Sequence, residues 1–393
     1  MQDSPIDVQT LLAAGANALR SGNARVARES FEQIVNQGQA NAGIFLGLAQ
    51  ACARLKDHVA ARSALDNVLA LDPRNMHALI MKADYLAALG DARTASTFYQ
   101  TAVRVAPPPE QLSTESRGEL ERAQAMCQQY AAQFESFLRE KLTPKGMFGP
   151  GSSERFRQSF DIMLGKKAIY FQQPRIYFFP GLPQIQFYDR KNFPFFDRIE
   201  AATADIRAEM LEVLKDTNAF KPYVEKNPNR ARGDSSGMQE NPDWSAFYLL
   251  RDGEIMAENA ARCPRTIEAL ADFPLVHVPN RSPSVLFSLL RPGARIPPHT
   301  GIVNTRLICH LPLLVPPGCG LRVGNDTRVP VEGKAWLFDD TIEHEAWNLS
   351  DRPRVILLFE MWRPEITSAE RELIRAMFEA IDMHTGKKPD WEI

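Results

Sequence analysis

Histidine and arginine set the chemistry open to this chain. Of its seven histidines, three, His299, His310 and His344, fall where short apolar runs alternate with turns. His299 and His310 share the stretch "IPPHTGIVNTRLICH" (296–310), and His344 lies in "LFDDTIEHEAWN" (337–348). Two neutral imidazoles on separate strands can hold a divalent metal through their ring lone pairs. Arg354 follows His344 by ten residues, at the expected start of the next strand. Arginine makes planar, bidentate contacts with carboxylates. The pattern admits a metal beside a carboxylate-bearing ligand. One position resists it: two residues after His299, where a metal site often carries Asp or Glu, stands Gly301, which has no ligand to give. His58, His77 and His384 fall on expected helices or the tail and read as solvated, while His277 reads as structural.

The elements that must position these side chains are strands. From Ser284 onward "VLFSLL", "RLICHLPLLV", "CGLRVG", "KAWLFDD" and "RVILLFEMW" are short β runs broken by Gly, Pro and Asn. Such spacing predicts a sandwich or barrel. A double-stranded β-helix, the small jelly roll of cupins, fits, and the pattern alone does not choose it over another β-sandwich. Alternation along 306–312 puts Arg306, Ile308, His310 and Pro312 on one face and Leu307, Cys309 and Leu311 on the other. An Arg and a His on one face of an apolar strand need a partner, because buried charge is costly. Either an anionic ligand sits inside the barrel or the strand is an edge with a solvated face.

Upstream, "YFQQPRIYFFPGLPQIQFYDRKNFPFFDRIE" (170–200) suits an extended segment lying over a domain, and Ile199, Ala202, Ile206, Met210 and Val213 form a helix face. Residues 229–244 read as a polar loop leading into a Trp-led strand, "WSAFYLL". The first third repeats. Asn23, Asp57 and Asp91 are 34 residues apart, and in the same frame Ala27, Ala61 and Ala95 align, as do Phe31, Leu65 and Tyr99. Gly15, Ala49 and Ala83 are the small residues that let paired helices close up. This resembles the tetratricopeptide repeat, three units of two helices whose stacking supplies the core. The resemblance implies a concave face for a peptide or protein partner; a plain scaffold or dimerisation element is the alternative. Pro107–Pro109 end the array, Ser113 or Thr114 caps a further helix on which Leu120, Ala123, Cys127, Tyr130, Phe134 and Leu138 recur at helical spacing as a stripe expected to pack on the last repeat, and "LTPKGMFGPGSSE" (142–154) reads as a flexible linker.

Composition is that of an ordinary globular protein. A formal net charge of −2 argues against nucleic-acid binding by broad positive charge. No stretch is apolar enough to span a bilayer, and the first residues lack the basic and apolar regions of a secretory signal. Five scattered cysteines make neither a disulfide framework nor a CxxC zinc pair. The expectation is a reduced, cytoplasmic protein.

Two histidines followed by a basic residue about ten positions on is the layout of Fe(II)/2-oxoglutarate oxygenases. Residues 291–366 go further and resemble the aspartyl/asparaginyl β-hydroxylase family: PHTG, the NxRL run, the Gly-Cys turn, EGK, FDD, EHEAWN and the final W-x-PE recur together. Weaker similarity reaches back to about Trp244. The resemblance implies a two-His iron centre with His299 and His344 as ligands and water where a carboxylate would stand, so Gly301 is expected. It implies Asp340 as the acceptor that orients that water, Ser288 and Arg354 on the distal carboxylate of 2-oxoglutarate, His310 near its metal end and Trp244 alongside. Arg306 is expected to reach a substrate carboxylate. The family's protein hydroxylase carries a second Arg two positions after that of Arg306, where this chain has Ile308.

The expected architecture is α+β in two domains: tetratricopeptide-like helical repeats over 1–110, a capping helix and linker over 111–165, and an oxygenase domain over 166–393. Its β-helix core covers about 240–366, with flanking helices and a C-terminal helix. The expected function is hydroxylation of an unactivated C–H with Fe(II), 2-oxoglutarate and O2, first of all the β-carbon of Asp or Asn in a peptide or protein. A carrier-bound amino acid, a small molecule or a lipid acyl chain is the alternative substrate, and a non-catalytic scaffold with a degenerate barrel is the alternative to an enzyme.

Overall fold

The computed structural model describes residues 7–225 and 237–385. Residues 1–6, 226–236 and 386–393 lie outside the described residues, and with them most of the polar loop expected over 229–244. The chain divides into two compact units, Met1–Leu164 and Gly165–Ile393.

The first unit is helical. Its six leading helices pair as α1 (Val8–Arg20) with α2 (Ala24–Asn36), α3 (Ala42–Arg54) with α4 (His58–Leu71), and α5 (Met76–Ala88) with α6 (Ala92–Val105). The residues that mark the 34-residue period are the N-caps of each second helix. Asn23, Asp57 and Asp91 accept the backbone N–H of Val26, Ala60 and Thr94, which satisfies a helix donor that would otherwise be orphaned. The aligned Ala27, Ala61 and Ala95 are buried between helices. Phe31 packs between Gly15 and Gly47, whose missing side chains leave room for its ring.

Ser113 caps α7 (Thr114–Leu142). Only its first half lies on the repeats, through Leu120, Ala123 and Cys127 against Tyr99 and Ala102; Phe134 and Phe137, on the same predicted stripe or beside it, are exposed. His77, expected to be solvated, is instead half-buried and bonded to Glu119 of α7. The segment read as a flexible linker is a folded turn: Met147 is buried, Arg139 stacks on Phe148, and Ser153 caps α8 (Glu154–Met163).

The second unit is built on two antiparallel sheets. The larger has seven strands: β1 (Lys221–Pro222), β2 (Trp244–Arg251), β4 (Val285–Leu290), β11 (Arg354–Trp362), β6 (Arg306–Leu314) and β9 (Trp336–Phe338) in that order, with β3 (Glu254–Ile255) against β2. The four-stranded sheet runs β5 (Arg295–His299), β10 (His344–Asn348), β7 (Cys319–Val323) and β8 (Asp326–Arg328). Strands β4 to β11 thus cross back and forth between the sheets, in the order of a double-stranded β-helix. Alternation on β6 assigns the two faces. Leu307, Cys309, Leu311 and Leu313 pack outward onto α9 (Phe196–Ala201) and α10 (Thr203–Leu214), while Ile308 packs inward between the sheets. Because β6 lies between β11 and β9, the solvated-edge reading is excluded. Helices α11 (Ala257–Arg262), α12 (Pro264–Leu270) and α13 (Ser368–Thr385) complete the unit.

An extended strap over 170–189 lies along the barrel. Gln173, Arg175 and Ile176 donate backbone N–H groups to the carbonyls of Thr341, Gly301 and Ile302. A buried polar network fastens it. Arg363 donates to Asp339 Oδ2 (2.7 Å), the Tyr188 hydroxyl (2.6 Å) and the Pro183 carbonyl (2.9 Å). Gln172 also donates to Asp339 Oδ2 (2.6 Å) and accepts from Asn304 (2.9 Å). Every charge in this group is matched, as burial requires.

Candidate active site

Between the two sheets lies a cavity of about 60 Å³. All eight side chains singled out by the sequence line it: Trp244, Ser288, His299, Arg306, His310, Asp340, His344 and Arg354. They come from β2, β4, β5, β6, β11, the start of β10 and the turn before it.

His299 ends β5 and His344 begins β10, and the two residues are direct cross-strand partners, with ring centroids 4.1 Å apart. Each ring is held by a backbone carbonyl. His299 Nδ1 lies 2.8 Å from the Pro297 oxygen and His344 Nδ1 3.1 Å from the Ile342 oxygen. A carbonyl only accepts, so each Nδ1 carries the proton and each Nε2 keeps its lone pair. Burial lowers the pKa of both rings, and for His344 the neighbouring His299 adds to the effect. Two neutral imidazoles with oriented Nε2 atoms are what a divalent metal requires. Among the described residues no group of three or more His, Cys, Asp or Glu is placed to hold a metal.

Gly301 is explained by Asp340. A Cβ at position 301 would lie 2.7 Å from Asp340 Oδ1 and closer still to Cγ and Oδ2, inside contact distance. The glycine N–H donates to the Asp340 carbonyl (2.7 Å). The space of a side chain at 301 is therefore filled by a carboxylate arriving from the other sheet-connecting turn. Burial pushes Asp340 up to about 7, against the pull of the Arg306 charge, and its Oδ1 has no partner.

Arg306, expected to reach a substrate carboxylate, has carboxylates of the protein beside it. Its Nη1 donates to Glu360 on the adjacent β11, and its Nη2 is 3.6 Å from Asp340. Burial opposes its charge, but Glu360, Asp340 and Tyr223 outweigh this and raise its pKa. The partner that its placement demanded is thus a side chain of the protein.

Arg354 is the contrasting case. It is only 1% exposed, its Nε and Nη2 have no acceptor, and burial brings it down to about 10. A buried guanidinium with unused donors is unfavourable unless an anion joins it. Near it Ser288 Oγ accepts from Trp244 Nε1 (3.2 Å), which leaves the hydroxyl hydrogen free to donate. His310, with Nδ1 unpartnered, is held well below the usual imidazole range by burial, then by Arg354 and His344. The site offers metal-ready nitrogens at one point and an anion-starved guanidinium at another. Fe(II) and a dicarboxylate such as 2-oxoglutarate fit that donor set.

Sequence reasoning missed two residues of the cavity environment. Glu360 carried a usable signal, a lone acid in the apolar run "RVILLFEMW". Tyr223, whose ring stacks on Trp244 with centroids 4.1 Å apart, sits on a two-residue strand and carried none.

Comparison with known proteins agrees with this geometry. The family described as Aspartyl/Asparaginyl beta-hydroxylase matches residues 200–364. The chain is 30% identical over 210 residues to human Aspartate beta-hydroxylase domain-containing protein 2, covering 53% of this chain and 55% of that protein. It is 36% identical over 146 residues to human Aspartyl/asparaginyl beta-hydroxylase, covering 37% of this chain and 19% of that protein. At most the chain thus spans about half the length of these relatives. Among solved structures, the TPR2B domain of yeast Sti1, in a complex with pHsp70, is similar at 15% identity and a TM-score of 0.27, covering 32% of this chain and 97% of that one. Residues 200–364, which contain the whole lining of the two-histidine cavity, are thus similar to the aspartyl/asparaginyl β-hydroxylase family.

Proposed function

We propose that this chain is an Fe(II)/2-oxoglutarate-dependent hydroxylase. One observation carries the reading: a single cavity holds two imidazoles, each bonded through Nδ1 to a backbone carbonyl, and a guanidinium whose Nε and Nη2 have no acceptor. Bound there, Fe(II) with 2-oxoglutarate and O2 supplies oxidative decarboxylation to succinate and CO2, coupled to hydroxylation of a substrate C–H.

The residues divide the work. His299 and His344 hold the metal through Nε2, and the Pro297 and Ile342 carbonyls fix the tautomer that makes this possible. Arg354 takes the distal carboxylate of 2-oxoglutarate with the Ser288 hydroxyl beside it, and Trp244 positions that hydroxyl. His310 donates from a neutral ring near the metal end. Asp340 accepts from water at the metal in the space that Gly301 leaves open. The apolar wall formed by Ile296, Ile308, Phe338 and Ile356 keeps bulk water out and so strengthens each polar contact.

In this reading the substrate is the β-carbon of Asp or Asn in a peptide or protein, and the helical repeats bind the segment that carries it. The apolar wall at Ile308 favours a second reading, the same chemistry on a carrier-bound amino acid, small molecule or acyl chain. A reducing, cytoplasmic setting belongs to the same proposal and accords with the free thiols Cys52, Cys263, Cys309 and Cys319, all buried. Among the described residues no helix is long and apolar enough to cross a membrane. Incubation with a peptide library, followed by mass spectrometry for the gain of one oxygen, tests the substrate assignment. Oxygen gained only by lipids or small molecules would move the function to the second reading.

A further inference from the structure

The charges in the cavity wall restrict which group can enter beside 2-oxoglutarate. This inference rests on the oxygenase reading and sharpens its substrate class. The lining has two guanidinium groups, Arg306 and Arg354. Arg306 is claimed from within the protein: Glu360, only 4% exposed, accepts from its Nη1, and Asp340 is 3.6 Å from its Nη2. Arg354 is the cation without a carboxylate partner among the described lining residues, and the cosubstrate takes it. The position between Arg306 and His310 on the inward face of β6 is Ile308, 6% exposed; Ile296 and Leu321 line the opposite sheet of the cavity, and Leu358 lines it from the adjoining strand β11. Arg175 stands at the rim, where its backbone bonds Gly301 and its charge helps lower the His299 pKa; it is exposed to solvent and does not line the cavity.

Among the described lining residues, a substrate carboxylate entering this space would find neither guanidinium uncommitted, and would lie beside Asp340. An unpaired charge in such a place is strongly unfavourable, whereas a neutral group bears only its own desolvation. We propose that the group this cavity accepts for oxidation is uncharged, a carboxamide or aliphatic side chain, and that Glu360 and Ile308 are the specificity-determining residues that exclude a carboxylate. Glu360 does so by neutralising Arg306, and Ile308 by putting hydrocarbon where a second cation would fit.

The test uses the full chain loaded with Mn(II) and 2-oxoglutarate, and reads the paramagnetic relaxation of ligand protons by NMR. The probes are N-acetyl-asparagine amide, N-acetyl-leucine amide and N-acetyl-aspartate amide. Relaxation of the 2-oxoglutarate protons reports the oxygenase reading separately; its absence overturns that reading and the inference with it. With 2-oxoglutarate bound, the asparagine and leucine probes are expected to bind at least about tenfold more tightly than the aspartate probe. Equal or tighter binding of aspartate, or no discrimination among the three, overturns the inference and leaves the oxygenase reading standing. Glu360→Gln, which frees the Arg306 charge, is expected to raise the affinity of the aspartate probe about tenfold and to leave that of the leucine probe in place. Ile308→Arg is expected to act in the same direction. Should that larger side chain prevent folding, Glu360→Gln alone decides: an unchanged aspartate affinity counts against the proposal.

Discussion

The carboxylate of Asp340 occupies the volume that any side chain at position 301 would need: a Cβ on Gly301 would stand 2.7 Å from Asp340 Oδ1. The glycine is therefore the complement of the aspartate. In the proposed metal centre, the place a third ligand at 301 would need is taken by a carboxylate held from a neighbouring turn.

Substitution at 301 tests this directly. Gly301→Ala is expected to destabilise the protein by about 1–3 kcal/mol through overpacking and to weaken Mn(II) or Co(II) binding. Gly301→Asp, which would supply a third ligand on sequence grounds, is expected to weaken metal binding as well. The double change Gly301→Asp with Asp340→Gly removes the clash and is expected to recover it. Metal titration followed by thermal unfolding measures all three.

Arg354 is expected to cost the ligand-free fold stability. Its charged form is disfavoured in the fold, since its pKa falls from 12.5 to about 10. The sign follows: a base with a lowered folded pKa costs stability wherever it is protonated, and the cost fades only as pH rises through about 10. At neutral pH, Arg354→Met is expected to raise the melting temperature of the ligand-free protein and to weaken 2-oxoglutarate about 30-fold or more. Scanning calorimetry with and without 2-oxoglutarate reads both effects.

The Arg363–Asp339 pair has no solvent exposure on either side chain and joins the strap to the turn carrying Asp340. Asp339→Asn leaves a buried guanidinium under-compensated and is expected to cost about 3–5 kcal/mol in urea unfolding. Replacement of both residues by apolar ones of similar volume is expected to recover part of that loss.

In the helical unit, the hydrogen bond to Glu119 raises His77 above the usual imidazole range, against burial. Glu115 adds to the effect and Ser116 Oγ faces Nε2. A raised pKa stabilises the fold fully below the unfolded value of 6.5, and that stabilisation is lost as pH rises through the folded value. Docking of α7 on α5 is expected to weaken from pH 6 to pH 8, and Glu119→Gln to flatten this dependence. Hydrogen exchange of the α5 and α7 amides at the two pH values measures it.

Legibility in the sequence followed the range of the interaction. The 34-residue period located the N-caps because a cap bonds three residues along its own chain. Alternation on β6 separated Arg306, Ile308 and His310 from Leu307 and Cys309 because strand periodicity is local. What failed was non-local. The partner of Arg306 is Glu360, 54 residues away and across a strand pair, so a placement that demanded an anion was assigned a ligand where the fold supplied a side chain. Gly301 needed Asp340 to make sense of it, and only the closed barrel brings the two together. Periodicity along α7 predicted one packed stripe, yet Phe134 on that stripe is exposed, since the repeats reach only its first half.

The central claim is most directly tested by succinate formation from 2-oxoglutarate by the full chain with Fe(II) under air. The account predicts succinate that depends on Fe(II) and O2 and disappears in His344→Ala while that variant still unfolds cooperatively. Succinate undiminished in His344→Ala, or a wild-type protein that forms none and binds no 2-oxoglutarate, would contradict it.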